Sequence, residues 1–337
     1  MAHEPTLQAL LQARLQALLA ELSPDGGQVQ RLRKLSGGAS QDTWAFDWVM
    51  PNGGGAQPLV LRRTPPGATV RSGGSAGLDA EAALIALADE AGVPVPPLVL
   101  RLRAEHGLGQ GFVMGHLDGE TLGRRIVSNA RFALARQGLA RRCGQVLAQI
   151  HALPRARLPA LREASAAGEL AHCREWHRSH GMARPVFALA LRWLADRCPD
   201  DGVPLGLVHG DFRTGNLMVD EAGLVGVLDW ELAHVGDAMQ DLGWLCVNSW
   251  RYGRAELPVG GFGTRDELFA GYAEGGGTVD AARVQWWQVF GTLHWGVICE
   301  SMGQAGAADG EPQMEKSAIG RRASEAEIDL LQLLAPR

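Results

Sequence analysis

Lysine is nearly missing from this chain of 337 residues: Lys34 and Lys316 are the only two among 32 basic side chains. Chemistry that ordinarily uses an ε-ammonium must therefore fall to a guanidinium, whose reach and donor geometry differ, or be absent. Cysteine is scarce as well. The five (Cys143, Cys173, Cys198, Cys246, Cys299) are scattered, odd in number and without a C-x-x-C pair. That argues against a disulfide framework and for reduced thiols in a cytoplasm. No apolar run approaches the ~20 residues that a membrane span requires. Residues 1–22 lack a basic n-region and a small-residue cleavage site. Their leucines at 7, 10, 11, 15, 18, 19 and 22 read as an amphipathic helix, not a signal peptide. Positive charge is not in excess, since the net charge is −5. Nothing points to nucleic acid as a partner. The pairs Arg124-Arg125 and Arg141-Arg142 fall in helical patterns and read as solvated faces. No G-x-x-x-x-G-K-[ST] occurs, which excludes a P-loop. The expectation is a soluble, cytoplasmic protein with no membrane partner. Oligomeric state is not legible.

With 46% hydrophobic residues, the chain is long enough for one large two-lobed unit or two domains. After the first helix, Ser23-Pro24-Asp25-Gly26-Gly27 is a break. Three strands are predicted over 29–63, with turns at Ser36–Ser40 and Asn52–Gly55. Pro65–Gly77 reads as a loop and 79–91 as a helix stopped by Gly92 and Pro94. Strands near 97–103 and 111–116 come next. From Gly119 the pattern turns helical, with helices expected at 130–153, 166–180, 184–197, 236–248, 265–274, 280–300 and 315–334. Short strands should occupy 206–230. The predicted class is α+β, divided as 1–28 (helix and linker), 29–115 (small antiparallel-sheet lobe with one helix) and 116–337 (larger, mainly helical lobe).

The most informative stretch is Leu207-Val208-His209-Gly210-Asp211-Phe212-Arg213-Thr214-Gly215-Asn216-Leu217-Met218, with Val227-Leu228-Asp229-Trp230 close behind. An Asp and an Asn five positions apart after a short apolar strand can set a base beside a metal ligand. A second short strand then delivers another carboxylate. Phosphoryl transfer in kinase-type sites needs that set: one carboxylate to orient the attacking hydroxyl, an Asn and an Asp to hold Mg²⁺ against phosphates. A surface turn would use the same turn-prone residues, but it would not need flanking apolar strands or the spaced third carboxylate.

This region resembles the catalytic core of the aminoglycoside phosphotransferase and choline kinase family, which has a protein-kinase-like two-lobed fold. The likeness spans about 29–300 and is strongest over 205–250. It looks closest to a branch similar to the phosphotransferase domains fused to some acyl-CoA dehydrogenases. Pro258–Gly263 and Trp286–Leu293 also resemble that branch. The resemblance implies ATP and Mg²⁺, with the site in the cleft between the lobes. Asp211 would be the catalytic base, Asn216 and Asp229 the metal ligands, and His209 and Asp241 supports of the loop; Asp237 stays open between support and helix capping. Arg62 stands where the fold usually has a phosphate-binding lysine, and Glu81 matches its ion-pair partner. Ser36, Gly37, Gly38 and Ser40 would cover the phosphates with backbone N–H groups. Met114 and His116 fall in a run matching the adenine-binding hinge.

The acceptor is less legible. No activation segment ending in Ala-Pro-Glu comes after Asp229, so a peptide platform is missing and the acceptor should be a small-molecule hydroxyl. Glu231, Trp250, Trp287 and His294 are the candidates for its pocket. Acidic residues in the C-terminal half are not dense, so a hydroxyacyl or other metabolite competes with a polycationic aminoglycoside. A non-catalytic nucleotide-binding module is the alternative, supported by the lost lysine alone. Cys173, His177 and His180 share a helical face that could ligate zinc, but they lack a fourth ligand and read as a solvated face.

Overall fold

The computed structural model describes residues 7–22, 26–35, 41–51, 55–67, 74–200, 202–308 and 314–335. The chain divides into two units. The first comprises Met1–Asp118, Arg157–Leu161 and Gly226–Leu232.

In this first unit, helix α1 (Leu7–Leu22) buries Leu11, Leu15, Leu18 and Leu19 while Leu7 and Leu10 stay exposed. Each buried leucine is worth roughly 1.5–3 kcal/mol against exposure. The strands are β1 (Gln28–Lys34), β2 (Asp42–Val49), β3 (Ala56–Thr64), β4 (Leu98–Arg101) and β5 (Gln110–Gly115), all paired antiparallel in the order β1-β2-β3-β5-β4. Trp44, Phe46 and Trp48 of β2 and Leu59 and Leu61 of β3 join the α1 leucines in one cluster. Side chains alternate along a strand, so Val60 and Arg62 point to the opposite face. In register, they lie against Met114 and Phe112 of β5. Helix α2 (Leu78–Glu90) brings Glu81 to that face. Along the edge strand, Gln8 and Gln12 donate to Leu32 O (2.7 Å) and Val29 O (2.9 Å), and Gln16 accepts from Val29 N–H (2.8 Å). These glutamines, spaced by four, satisfy backbone groups that an open edge would expose.

The late segment joins this unit through its backbone. Val227 N–H donates to Pro94 O (2.8 Å), and Ala76 N–H to Glu231 O (2.7 Å).

The second unit comprises Gly119–Ala156, Arg162–Val225 and Ala233–Arg337. It holds α3 (Gly123–Ser128), α4 (Ala133–His151), α5 (Ala166–Ser179), α6 (Pro185–Asp196), β6 (Gly206–Val208) and β7 (Leu217–Val219). After β8 (Leu224–Val227), whose last two residues belong to the first unit, come β9 (His234–Gly236), α7 (Met239–Leu245), α8 (Arg265–Glu274), α9 (Ala281–Ala308), α10 (Met314–Arg321) and α11 (Ala323–Leu334). Helices α4 and α8 cross at glycines: a Cβ on Gly271 would meet Arg141 O at 1.9 Å, and one on Gly144 would meet Leu268 O at 2.2 Å. Strand β6 pairs antiparallel with β9.

Several expected boundaries move. The helix expected over 236–248 shrinks to α7, because His234–Gly236 is drawn into pairing with β6 and Asp237 caps the start of α7 by accepting from Met239 N–H. The helix expected at 130–153 begins with a 3-10 turn at Ala130–Phe132. The one expected at 280–300 runs on to Ala308, and the last breaks at Arg322 into α10 and α11. The Cys173/His177 face is not solvated as expected. Both residues are buried, and His177 Nδ1 lies 2.8 Å from Glu300 Oε2. Among the described residues, no group of three or more His, Cys, Asp or Glu could hold a metal.

Candidate active site

The residues singled out in the sequence divide between the two units. In the second unit, β6 is followed directly by His209, which is fully buried and meets Phe212 edge-on at 5.8 Å. The turn needs Gly210, whose φ of 82° lies in the left-handed region that favours glycine. Asp241, from the first turn of α7, braces this turn. It accepts from His209 N–H (2.8 Å) and Gly210 N–H (2.9 Å), and His151 Nε2 stands 3.0 Å from the same carboxylate. Tyr272 OH in turn holds His151 Nδ1 at 2.9 Å. Burial alone would raise the Asp241 pKa. The His151 hydrogen bond and charge, His209 and its N–H outweigh it, leaving Asp241 below the usual carboxylate range.

Asp211 is surrounded by donors. Trp244 Nε1 donates to Oδ1 at 2.8 Å, Asn216 Nδ2 to Oδ2 at 2.6 Å, and Arg213 Nε to both oxygens at 3.0 and 3.2 Å. Asn216 Nδ2 also donates to Asp211 O at 2.9 Å, which leaves its Oδ1 as the atom suited to a cation. Thr214 anchors the loop from below by donating to Trp250 O (3.1 Å) and Gly260 O (3.0 Å).

In the first unit, Arg62 is the hub. Its Nε lies 3.2 Å from Glu81 Oε2, and its Nη2 lies 2.9 Å from Asp229 Oδ1 and 3.5 Å from Glu231 Oε2. Burial would lower the arginine's pKa, but Glu81, Asp229 and Glu231 together raise it. Glu81 is 1% exposed, and burial pushes its carboxyl up to about 7 against the pull of Arg62, helped by the negative charges of Asp229 and Glu231. Asp229 has a φ of 66°, a left-handed conformation that a non-glycine residue adopts at a cost on the order of 1 kcal/mol. Such backbone strain clusters where a side chain must be aimed for function.

Of the remaining candidates, Met114 is half-buried opposite Val60, and His116 N–H donates to Pro58 O at 3.0 Å. Ser36, Gly37, Gly38 and Ser40 lie outside the described residues. Trp250 and His294 fall in an aromatic group beside Trp244. Trp287 reaches that group through Phe290, but its ring is 1% exposed and its N–H donates to Asp237 Oδ2 at 2.7 Å, so it lines no open pocket. Asp237, left open in the sequence, is thus a buried acceptor that also binds Arg283. Sequence reasoning passed over Trp244, Arg213 and His151. Trp244 had a readable signal, because it comes three positions after Asp241 and shares its helix face. His151 had none, since nothing in the chain links the end of α4 to the loop 58 residues on.

Comparison with known proteins places these features in context. Residues 31–282 match the model of the phosphotransferase enzyme family. The chain is 30% identical over 227 residues to acyl-CoA dehydrogenase family member 11 of Gallus gallus, a match covering 63% of this chain and 27% of that protein. It thus spans about a quarter of that relative's length. A provisionally assigned aminoglycoside phosphotransferase of Ralstonia eutropha superposes with a TM-score of 0.74 at 19% identity, covering 95% of this chain and 97% of the other. A spectinomycin phosphotransferase in complex with ADP and spectinomycin gives 0.63 at 12%, covering 95% and 98%. At these identities the structural likenesses establish the fold, which is α+β and protein-kinase-like.

Proposed function

The chain belongs to the phosphotransferase enzyme family, and on that footing we propose an ATP- and Mg²⁺-dependent kinase that moves the γ-phosphoryl group to a hydroxyl of a small molecule. The observation that carries this reading is the donor set on Asp211. Three side chains fix the orientation of that carboxylate, which then orients the acceptor hydroxyl. Because the transition state is loose, such positioning counts for more than basicity. An amide oxygen and a carboxylate suit magnesium, a hard cation that is bound through one or two protein oxygens alongside substrate phosphates. Asn216 Oδ1 and the strained Asp229 would hold it. When bound, the ion neutralises charge building on the β- and γ-phosphate oxygens.

Arg62 would take the place of the usual lysine. Glu81 pairs with its Nε and Asp229 with its Nη2, so Arg62 would exchange Asp229 for phosphate to offer its terminal nitrogens as a fork. The turn of Ser36, Gly37, Gly38 and Ser40 would cover the phosphates, and the Met114–His116 strand end would take the adenine. In this scheme 29–115 is the nucleotide-binding lobe and 116–337 the acceptor lobe. The ADP held by the spectinomycin enzyme supports the choice of nucleotide. Five scattered cysteines without a C-x-x-C pair suit the cytoplasm.

One observation favours a second reading. Arg62 already occupies the carboxylate a metal would need, as it would in a non-catalytic nucleotide-binding module. The test is mass spectrometry of metabolite and antibiotic pools incubated with protein, ATP and Mg²⁺, with Asp211→Asn as control. A species one phosphoryl group heavier, formed by the wild type alone, is the expected result. Bound Mg–ATP with no such product would sink the enzyme reading and leave the module.

A further inference from the structure

Helices α5 and α6 of the second unit leave an open groove of about 790 Å³ between them, lined by none of the residues around Asp211. From α5 come Arg174, His177 and Arg178, whose spacing of three and four puts them on one face. From α6 come Ala188, Leu191, Arg192 and Ala195, which share a face in the same way. The connecting turn carries Met182, 44% exposed, and bends at Gly181, whose φ of 65° is left-handed. The two alanines are exposed, and their small side chains leave the groove unfilled.

Its walls are basic. Arg174 is half-buried and makes no hydrogen bond or ion pair among the described residues. Arg178 Nη1 meets Glu175 at 3.0 Å, and Arg192 Nε stands 3.9 Å from Asp196. Both are exposed surface pairs, which contribute little and give way to a better partner. Asp196 is the one carboxylate lining the groove among the described residues, against three guanidiniums.

His177 is held in place beneath them. Its ring is 9% exposed, with Nδ1 at 2.8 Å from Glu300 Oε2 and Phe187 edge-on at 5.4 Å. Glu300 is fixed in turn by Arg184 Nε at 2.6 Å. His177 Nε2 has no hydrogen-bond partner among the described residues, and the ring lines the groove. With its Nδ1 proton on a carboxylate, a neutral ring accepts from a ligand hydroxyl at Nε2, and an imidazolium donates there to an anion.

We propose that this groove binds a soluble organic anion, a carboxylate or phosphate monoester with a compact apolar body, at a second site apart from Asp211. The guanidinium fork matches either head group. Met182 and Leu191 cover the apolar body, and His177 meets one polar atom. A single small molecule suits the size, since ligand pockets run to ~300–1,000 Å³. A cation would meet three arginines. A membrane would need apolar side chains that project, whereas Leu191 is 9% exposed and forms a floor. The proposal stands whether or not Asp211 serves a kinase.

The test is calorimetric titration of the whole chain with decanoate and decyl phosphate, below their micelle concentrations, and with decylammonium as the cationic counterpart. The anions should saturate a site, and decylammonium should bind at least about tenfold more weakly. Arg174→Glu reverses the unpaired charge, and Ala188→Leu fills the groove from an exposed position. Each should raise the anion Kd at least about tenfold while the melting temperature stays at the wild-type value. Arg192→Glu, on the other helix, repeats the test should either variant lose its fold. Anion binding that these substitutions leave unchanged lies elsewhere and overturns the proposal, as does equal affinity for decylammonium. Acetate and inorganic phosphate binding as tightly as the decyl anions would remove the apolar floor from recognition and overturn it too. Sedimentation with phosphatidylglycerol vesicles, abolished by Arg174→Glu and unaccompanied by decanoate binding, would assign the groove to a lipid surface instead. No saturable binding of any anion overturns it outright.

Discussion

Asp241 accepts from two backbone N–H groups and sits against His151 with no exposure to water. Removing one member of such a buried set strands the others, at a typical cost of about 3–5 kcal/mol. Asp241→Ala should lose stability on that scale in urea unfolding and lose turnover with it. Its pKa is depressed in the folded state, so the stability it supplies is complete above the ordinary carboxylate range. That share is lost as pH falls through the folded value, and acid unfolding of the wild type should begin below about pH 4. Glu81 has the opposite sign. Its carboxyl is raised to about 7, so the fold binds a proton more tightly than the unfolded chain does. The Glu81 contribution to stability therefore falls as pH rises between its ordinary value and about 7. Below about 7 its protonation also withdraws the charge that holds Arg62. The KM for ATP should rise as pH drops through that value, and Glu81→Gln should flatten the profile. A wild-type KM indifferent to pH over that range would refute the role.

At the scale of elements, the crossing of α4 and α8 has no room for a methyl group at Gly271, where the obstacle is the backbone carbonyl of Arg141. Overpacking of this kind costs roughly 1–3 kcal/mol. Gly271→Ala should lower the melting temperature and also reduce turnover, because α4 carries His151 and α8 carries Tyr272, which together steady Asp241. A melt unchanged from wild type would show that the helices can part without cost. The sequence spoke clearly where the signal is local. The α1 leucines, the alternation in β2 and β3, and the contact of Asn216 with Asp211 all rest on near neighbours. It was silent where a partner is far along the chain. Pairing of β9 with β6 shortened a helix whose apolar pattern looked longer, and nothing local in the chain tied His151 to Asp241.

At the scale of the whole molecule, the first unit is not a contiguous stretch, since it takes in Arg157–Leu161 and Gly226–Leu232. A fragment ending at Asp118 keeps the sheet but loses the bond from Val227 to Pro94 and two of the three carboxylates around Arg62. Such a fragment should not reach a cooperative folded state. Circular dichroism melts would detect this, and a sharp transition matching that of the full chain would contradict it. Mg–ATP at about a hundred times its Kd should stabilise the full chain by about 2.7 kcal/mol. Asp229→Asn should weaken that gain in Mg²⁺ more than in EDTA, which calorimetry can resolve.

Arg62 has a further consequence for how such a protein would be found. Reagents that trap nucleotide sites by acylating an amine need a lysine beside the phosphates, and on the reading proposed above that position would hold the Arg62 guanidinium, which stays protonated. A proteome-wide survey by amine labelling would pass over this site even with ATP bound in it. A guanidine-directed dicarbonyl would be the reagent to use, with protection by nucleotide as its signal.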